Sequence, residues 1–221
     1  MEAVKPYNPG ILEVYTGPMK SGKTSKVAIR LNKVKYLEDI DYIAFKPDID
    51  TRSKDIESRD GLIIPSMIIP AKNPRMILHY IKENHKIIVL SEAQFFDMDI
   101  GNLTEYLLSQ KKNLVVEGLN LDFRGEPFGV MPYFLSRADH IEVLTAVCDY
   151  MIPYGEGKLV HCPNPATRTQ RLIDDKPADY NSPLILIGDK TIIGVPNQSY
   201  EARCFEHHFV PGKPHIDDGK K

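Results

Sequence analysis

A chain of 221 residues is long enough for one domain with its own core plus a small appendage, and too short for two large independent domains. Its 28 Lys and Arg against 30 Asp and Glu leave a formal charge of −2, which excludes a global electrostatic footprint for duplex nucleic acid or an anionic membrane. No apolar run approaches the roughly 20 residues of a spanning helix, and Met1 to Gly10 lacks the basic and apolar regions of a signal peptide. A cytoplasmic protein is expected, with neither membrane nor nucleic acid among its partners.

In chain order, Ile11 to Thr16 is a β-prone run, and Ser25 to Leu37 carries Val27, Leu31 and Val34 on one helical stripe. Between them, Gly17-Pro18-Met19-Lys20-Ser21-Gly22-Lys23-Thr24 fits G-x-x-x-x-G-K-[ST]. In that pattern the glycines let backbone N–H groups curl around phosphate oxygens at the positive end of the following helix. Lys23 would bridge the β- and γ-phosphates of ATP, and Thr24 would offer its hydroxyl to Mg²⁺.

Tyr42 to Phe45 reads as a second strand, followed by a polar stretch, Lys46 to Gly61, expected to be a mobile loop. Asn73 before Pro74 predicts a helix start, with Met76, Ile77, Tyr80 and Ile81 on its apolar face. Ile87 to Leu90 and Leu114 to Val116 are continuous apolar runs, as in strands covered on both faces, with a helix around Leu103, Tyr106 and Leu107 between them. The alternation predicts a P-loop NTPase-like α/β domain over residues 11–145, a mostly parallel sheet flanked by helices. Glu92 then leaves the carboxyl end of a central strand, where open α/β sheets bind ligands, and a carboxylate there can act as a general base.

Beyond about residue 146 the texture changes to short β-like pieces rich in Pro and Gly, predicting a compact β-rich appendage over 146–210 that needs an external staple. Residues 1–10 and 211–221 read as flexible termini. The three cysteines, Cys148, Cys162 and Cys204, all fall in the last third; they are either buried thiols or metal ligands.

The order of motifs resembles the type II thymidine kinase family over about residues 11–208: the phosphate loop, Lys46-Pro47 with Asp50 and Arg52, Ser58-Arg59-Asp60-Gly61, Glu92-Ala93-Gln94-Phe95, Gly118-Leu119, Asp122-Phe123-Arg124-Gly125, Pro127-Phe128 and a cysteine-bearing end. The resemblance implies phosphorylation of thymidine by ATP, with Glu92 as base and Lys46, Asp50, Arg52 and Gln94 joining the phosphate loop around the nucleotide. It also implies a lasso loop closing over the nucleoside, here Ile193, Gly194 and Val195 through Tyr200, with Met19, Phe123, Phe128 and Thr169 completing the pocket. A homotetramer is implied as well.

Two departures stand out. The family normally carries an aspartate before the catalytic glutamate that helps organise Mg²⁺, whereas this chain has Ser91, whose hydroxyl brings no charge, so weaker metal binding is expected. The first cysteine pair is stretched: Met151 stands where a partner of Cys148 would be, and Cys162 begins the run Pro-Asn-Pro-Ala166-Thr-Arg-Thr169 that follows that partner, which makes Asp149 to His161 an insert. Cys148, Cys162, Cys204 and His207 then form the implied structural Zn²⁺ set, with His161 and His208 as rival ligands. Two other classes stay open at this stage, a catalytically weakened nucleotide-binding regulator and an unrelated phosphate-loop ATPase.

Overall fold

The computed structural model describes residues 10–37, 40–51, 53–184 and 197–214. In chain order, β1 (Leu12–Thr16) leads through the glycine loop into α1 (Lys23–Asn32), and β2 (Asp41–Pro47) follows. A small hairpin, β3 (Ile56–Glu57) and β4 (Ile63–Ile64), precedes β5 (Met67–Ile69). Then come β6 (His85–Leu90), α2 (Asp99–Ser109), β7 (Asn113–Gly118), α3 (Met131–Arg137) and β8 (His140–Val143). Six strands form one sheet in the order β5-β2-β6-β7-β1-β8, and every pairing in it is parallel.

The two faces divide by the period-2 alternation of a strand. Leu12, Val14, Ile88, Leu90, Leu114 and Val116 join the cluster containing Ile100, Leu103 and Leu107 of α2 and Met131 and Phe134 of α3. Tyr15, Ile87, Val89 and Val115 join Val27 and Leu31 of α1 on the other face. Fully burying each large aliphatic side chain contributes about 1.5–3 kcal/mol, so covering both faces is what makes these strands continuous apolar runs.

Three expectations need correction. The segment starts after Asn73 as expected but is a 3₁₀ helix, Pro74–His79, with no side-chain cap; Met76, Ile77, Tyr80 and Ile81 all pack on the core. The stretch Lys46 to Gly61 is organised rather than featureless: Lys46, fully buried at the end of β2, donates to the Ser53 carbonyl at 2.6 Å and pairs with Asp50 at 3.0 Å. The tail is not loose at its start, because Lys213 donates to the Arg124 carbonyl at 2.5 Å and pairs with Glu126 at 3.0 Å, while Tyr180 N–H reaches the Pro211 carbonyl at 2.8 Å.

The appendage consists of β9 (Ala146–Val147), the hairpin β10 (Met151–Tyr154) and β11 (Lys158–His161), β12 (Pro165–Ala166), β13 (Arg168–Ile173), β14 (Lys176–Pro177) and β15 (Gln198–Arg203). β9 pairs with β12, and β13 lies between β14 and β15. Among the described residues its buried cluster is Cys148, Cys162, Ala166, Ala202 and Cys204, with Ala146 and Ile152 packed against it. A cluster of such small side chains buries little apolar surface, which argues for a further cross-link.

Candidate active site

β1 ends in a loop whose shape depends on glycine. Gly17 has φ 142°, and a Cβ there would lie 2.2 Å from the Leu144 carbonyl oxygen, so no other residue fits the turn. Gly22, left-handed at φ 80°, starts α1, whose first residues are Lys23 and Thr24. The Ser21 hydroxyl and the Lys23 ammonium both donate to the Pro18 carbonyl at 2.8 Å, which curls the loop around the lysine tip. Gly17 to Thr24 are thus gathered at one helix N-terminus, the kind of place where backbone N–H groups and the helix dipole favour an anion.

Glu92 leaves β6 at φ 49° and ψ 42°, a left-handed conformation that costs a non-glycine residue on the order of 1–3 kcal/mol. Its carboxylate accepts from Gln94 Nε2 at 2.5 Å, and Gln94 Oε1 accepts from Leu119 N–H at 3.0 Å. Thr24, Asp50, Ser58, Ser91 and Glu92 line one cleft of about 250 Å³. The base candidate and the phosphate loop therefore face each other across a single gap.

Two of the residues expected around the nucleotide are buried. Gln94 is 3% exposed with both ends of its amide engaged, by Glu92 and by Leu119 N–H. Lys46 is 0% exposed and shapes the loop that brings Asp50 and Ser53 to the cleft. Arg52 lies outside the described residues.

The corner behind Glu92 is backed by Gly129, at φ 50°, where a Cβ would lie 2.0 Å from the Gln94 carbonyl oxygen. Gly129→Ala should therefore lose on the order of 2–4 kcal/mol, combining left-handed strain with overpacking against backbone. Denaturant unfolding measures it, and a loss below about 1 kcal/mol would show that the corner yields without cost.

On the side away from β2, Met19 N–H donates to Thr169 Oγ1 at 3.1 Å, which ties the phosphate loop to β13. Two residues on, the buried Arg171 guanidinium lies 3.8 Å from the Phe123 ring centroid, and Arg171 is the cross-strand partner of Tyr200. Phe128 packs edge-on against Phe95 at 5.4 Å. β13 thus collects Met19, Phe123 and Tyr200 around one element, while Ile193, Gly194 and Val195 lie outside the described residues.

Sequence reasoning passed over Glu117. Alternation along β7 sends Leu114 and Val116 to one face and Val115 and Glu117 to the face carrying α1. There Thr24 Oγ1 donates to the Glu117 carboxylate at 3.0 Å and Ser91 Oγ donates to it at 2.5 Å. Burial pushes the Glu117 carboxyl above the usual range, with Glu92 adding to the rise against the Ser91 bond, Lys23 and Thr24. A buried carboxylate thus stands directly beside Ser91 and Thr24. A signal was present: an acidic residue inside a run buried at every position of the strand is costly and marks a site.

The appendage brings its expected ligands together. The ligand atoms of Cys148, Cys162, Cys204 and His207 all lie within 4.8 Å of one another, with the thiols buried. His207 Nδ1 is 3.2 Å from Cys204 Sγ and 3.9 Å from Cys148 Sγ. A tetrahedral Zn²⁺, with bonds of about 2.3 Å to sulfur and 2.0–2.1 Å to nitrogen, fits such a set. His161 is turned to the Cys148 carbonyl and His208 to the Phe123 carbonyl at 2.9 Å, so neither rival joins it. Asp149, next to Cys148, holds Lys20 of the phosphate loop at 2.6 Å and accepts from Ala202 N–H at 2.7 Å. Burial alone would raise its carboxyl, but those two partners outweigh it and hold Asp149 below the usual carboxylate range.

A glycine loop at a helix start with a positioned carboxylate across the cleft is the arrangement of phosphate-loop enzymes that cleave or transfer a phosphoryl group. The thymidine kinase family matches residues 10–208, and the chain belongs to that family. It is 39% identical over 214 residues to thymidine kinase of Thermococcus kodakarensis, covering 94% of this chain and 99% of that one. It is 41% identical over 206 residues to thymidine kinase of Coprothermobacter proteolyticus, covering 92% and 93%. A solved structure, the flagellar accessory protein FlaH from Methanocaldococcus jannaschii, is similar over 73% of this chain and 80% of that one at 12% identity and a TM-score of 0.41, too distant to carry any argument.

Proposed function

We propose that the protein transfers the γ-phosphate of ATP to the 5′-hydroxyl of thymidine, giving dTMP and ADP. The observation that carries this is the single cleft lined by Thr24 and Glu92. Held by Gln94, the Glu92 carboxylate takes the proton of the 5′-hydroxyl as its oxygen attacks the γ-phosphorus in line, while Lys23 balances charge on the transferring group. The Thr24 hydroxyl would hold Mg²⁺, which would supply positive charge to the phosphates. Arg52 completes the charge balance by resemblance alone.

Met19, Thr169, Phe123, Phe128 and Tyr200 form the nucleoside side, and the Cys148, Cys162, Cys204 and His207 set holds structural Zn²⁺ that anchors this wall. The buried thiols suit a reducing cytoplasm, and no described helix is long and apolar enough to cross a membrane. A homotetramer, expected from family resemblance, is checked by light scattering.

Incubating the protein with a panel of nucleosides, ATP and Mg²⁺ and scoring monophosphate product tests the reading. Thymidine should be converted well ahead of purine nucleosides. ATP hydrolysis independent of any nucleoside, or nucleoside binding without transfer, would overturn it.

A further inference from the structure

Beside Ser91, on the neighbouring strand, stands the buried carboxylate of Glu117. We infer that Glu117 on β7, not residue 91 on β6, is the acidic positioning group for Mg²⁺ in this chain, an inference that rests on the kinase reading above.

β6 and β7 are parallel neighbours with Val89 opposite Val115 and Leu90 opposite Val116. One further step sets Ser91 beside Glu117, and period-2 alternation puts both on the face that carries α1. Positions 91 and 117 are therefore two adjacent places from which a carboxylate can reach the same point under the N-terminus of α1. In this chain the acid stands at 117 and the small hydroxyl at 91.

The contacts agree with that exchange. Thr24, the residue whose hydroxyl serves the metal in a phosphate loop, donates to both Glu117 oxygens, at 3.0 and 3.2 Å. Ser91 donates to Oε1 at 2.5 Å, fixing the carboxylate rotamer from the neighbouring strand. Glu117 is 3% exposed, and among the described residues the hydrogen bonds it accepts come from the Ser91 and Thr24 hydroxyls, with the Lys23 charge nearby. Hydroxyl donors compensate a buried carboxylate only in part, and a divalent cation beside Thr24 would add to that compensation. Mg²⁺ commonly binds through one or two protein groups with substrate phosphates and water, so Thr24 and Glu117 suffice.

The chain thus keeps a full metal site despite lacking an acid at position 91. Placing a second carboxylate there would set two like charges side by side in a buried corner, the opposite of a repair.

The test is Mn²⁺ titration of the full-length protein with ADP, followed by the loss of the free-ion paramagnetic resonance signal, with metal-free ADP affinity measured in parallel. Glu117→Gln should weaken Mn²⁺ binding by roughly 10–100-fold while leaving metal-free ADP affinity within about twofold. Ser91→Asp alone should not tighten Mn²⁺ binding. The exchange Ser91→Asp with Glu117→Ser should restore it, which a merely structural glutamate would not allow. Unchanged Mn²⁺ affinity in Glu117→Gln, or a folded exchange variant that does not regain it, would overturn the inference. If Glu117→Gln does not fold, the exchange variant alone decides. No nucleoside takes part, so failure of the thymidine reaction is read separately in the panel above.

Discussion

Glu92→Gln should cut thymidine phosphorylation by roughly 10²–10⁴-fold while nucleotide affinity stays near the parent value. The amide is isosteric with the carboxylate, cannot take the proton of the 5′-hydroxyl, and still meets the Gln94 amide after a flip. The site's geometry therefore survives the change. Glu92 is held in a left-handed conformation, and the residue behind it, Gly129, closes against the Gln94 carbonyl oxygen. Such strain persists where the surroundings over-determine it, and here they do so to aim one carboxylate at the mouth of the loop. The measurement is steady-state turnover with thymidine beside fluorescent-nucleotide binding. Turnover within tenfold of the parent would remove Glu92 as the base, and lost nucleotide binding would show that its role is structural.

The parts of the molecule that could be read in advance are those where one physical requirement dominates a short stretch of chain. Ile87 to Leu90 and Leu114 to Val116 are apolar at every position because both faces of a parallel sheet are covered. The phosphate loop declares itself because a Cβ at Gly17 would strike the Leu144 carbonyl. β8 and α3 escaped notice for the opposite reason: His140 and Glu142 interrupt any apolar run, and α3 has only seven residues. Lys46 and Gln94 were expected beside the nucleotide, and their burial and their bonds to the Ser53 carbonyl and to Glu92 and Leu119 could not be read in advance, since adjacency in sequence does not say where a polar side chain points. Glu117 was hidden by a comparison across strands. Its relation to Ser91 exists only in the register of β6 against β7, which no reading along one strand reveals.

Removing a metal held by Cys148, Cys162, Cys204 and His207 should damage a reaction in which those ligands take no direct part. Chelation, or Cys204→Ser, is expected to eliminate stoichiometric zinc and destabilise the protein by several kcal/mol, lowering Tm by roughly 10 °C at about 2–4 °C per kcal/mol. The four ligands come from three separate strand connections, at Cys148, at Cys162 after the β10–β11 hairpin, and at Cys204 and His207 after β15, with little apolar core to hold them otherwise. Without the cross-link, β13 and β15 lose their anchor. That loss reaches the phosphate loop through two contacts, Met19 N–H to Thr169 Oγ1 at 3.1 Å and Lys20 to Asp149 at 2.6 Å, the second one residue beyond Cys148. The proposed nucleoside wall is built on the same strands, so KM for thymidine should rise more than KM for ATP, whose proposed loop meets the appendage through those two contacts. Metal analysis, thermal unfolding and the two KM values check this together. A zinc-free protein with unchanged Tm would show that the thiols need no metal, and equal changes in both KM values would mean that the phosphate loop itself depends on the appendage for its shape.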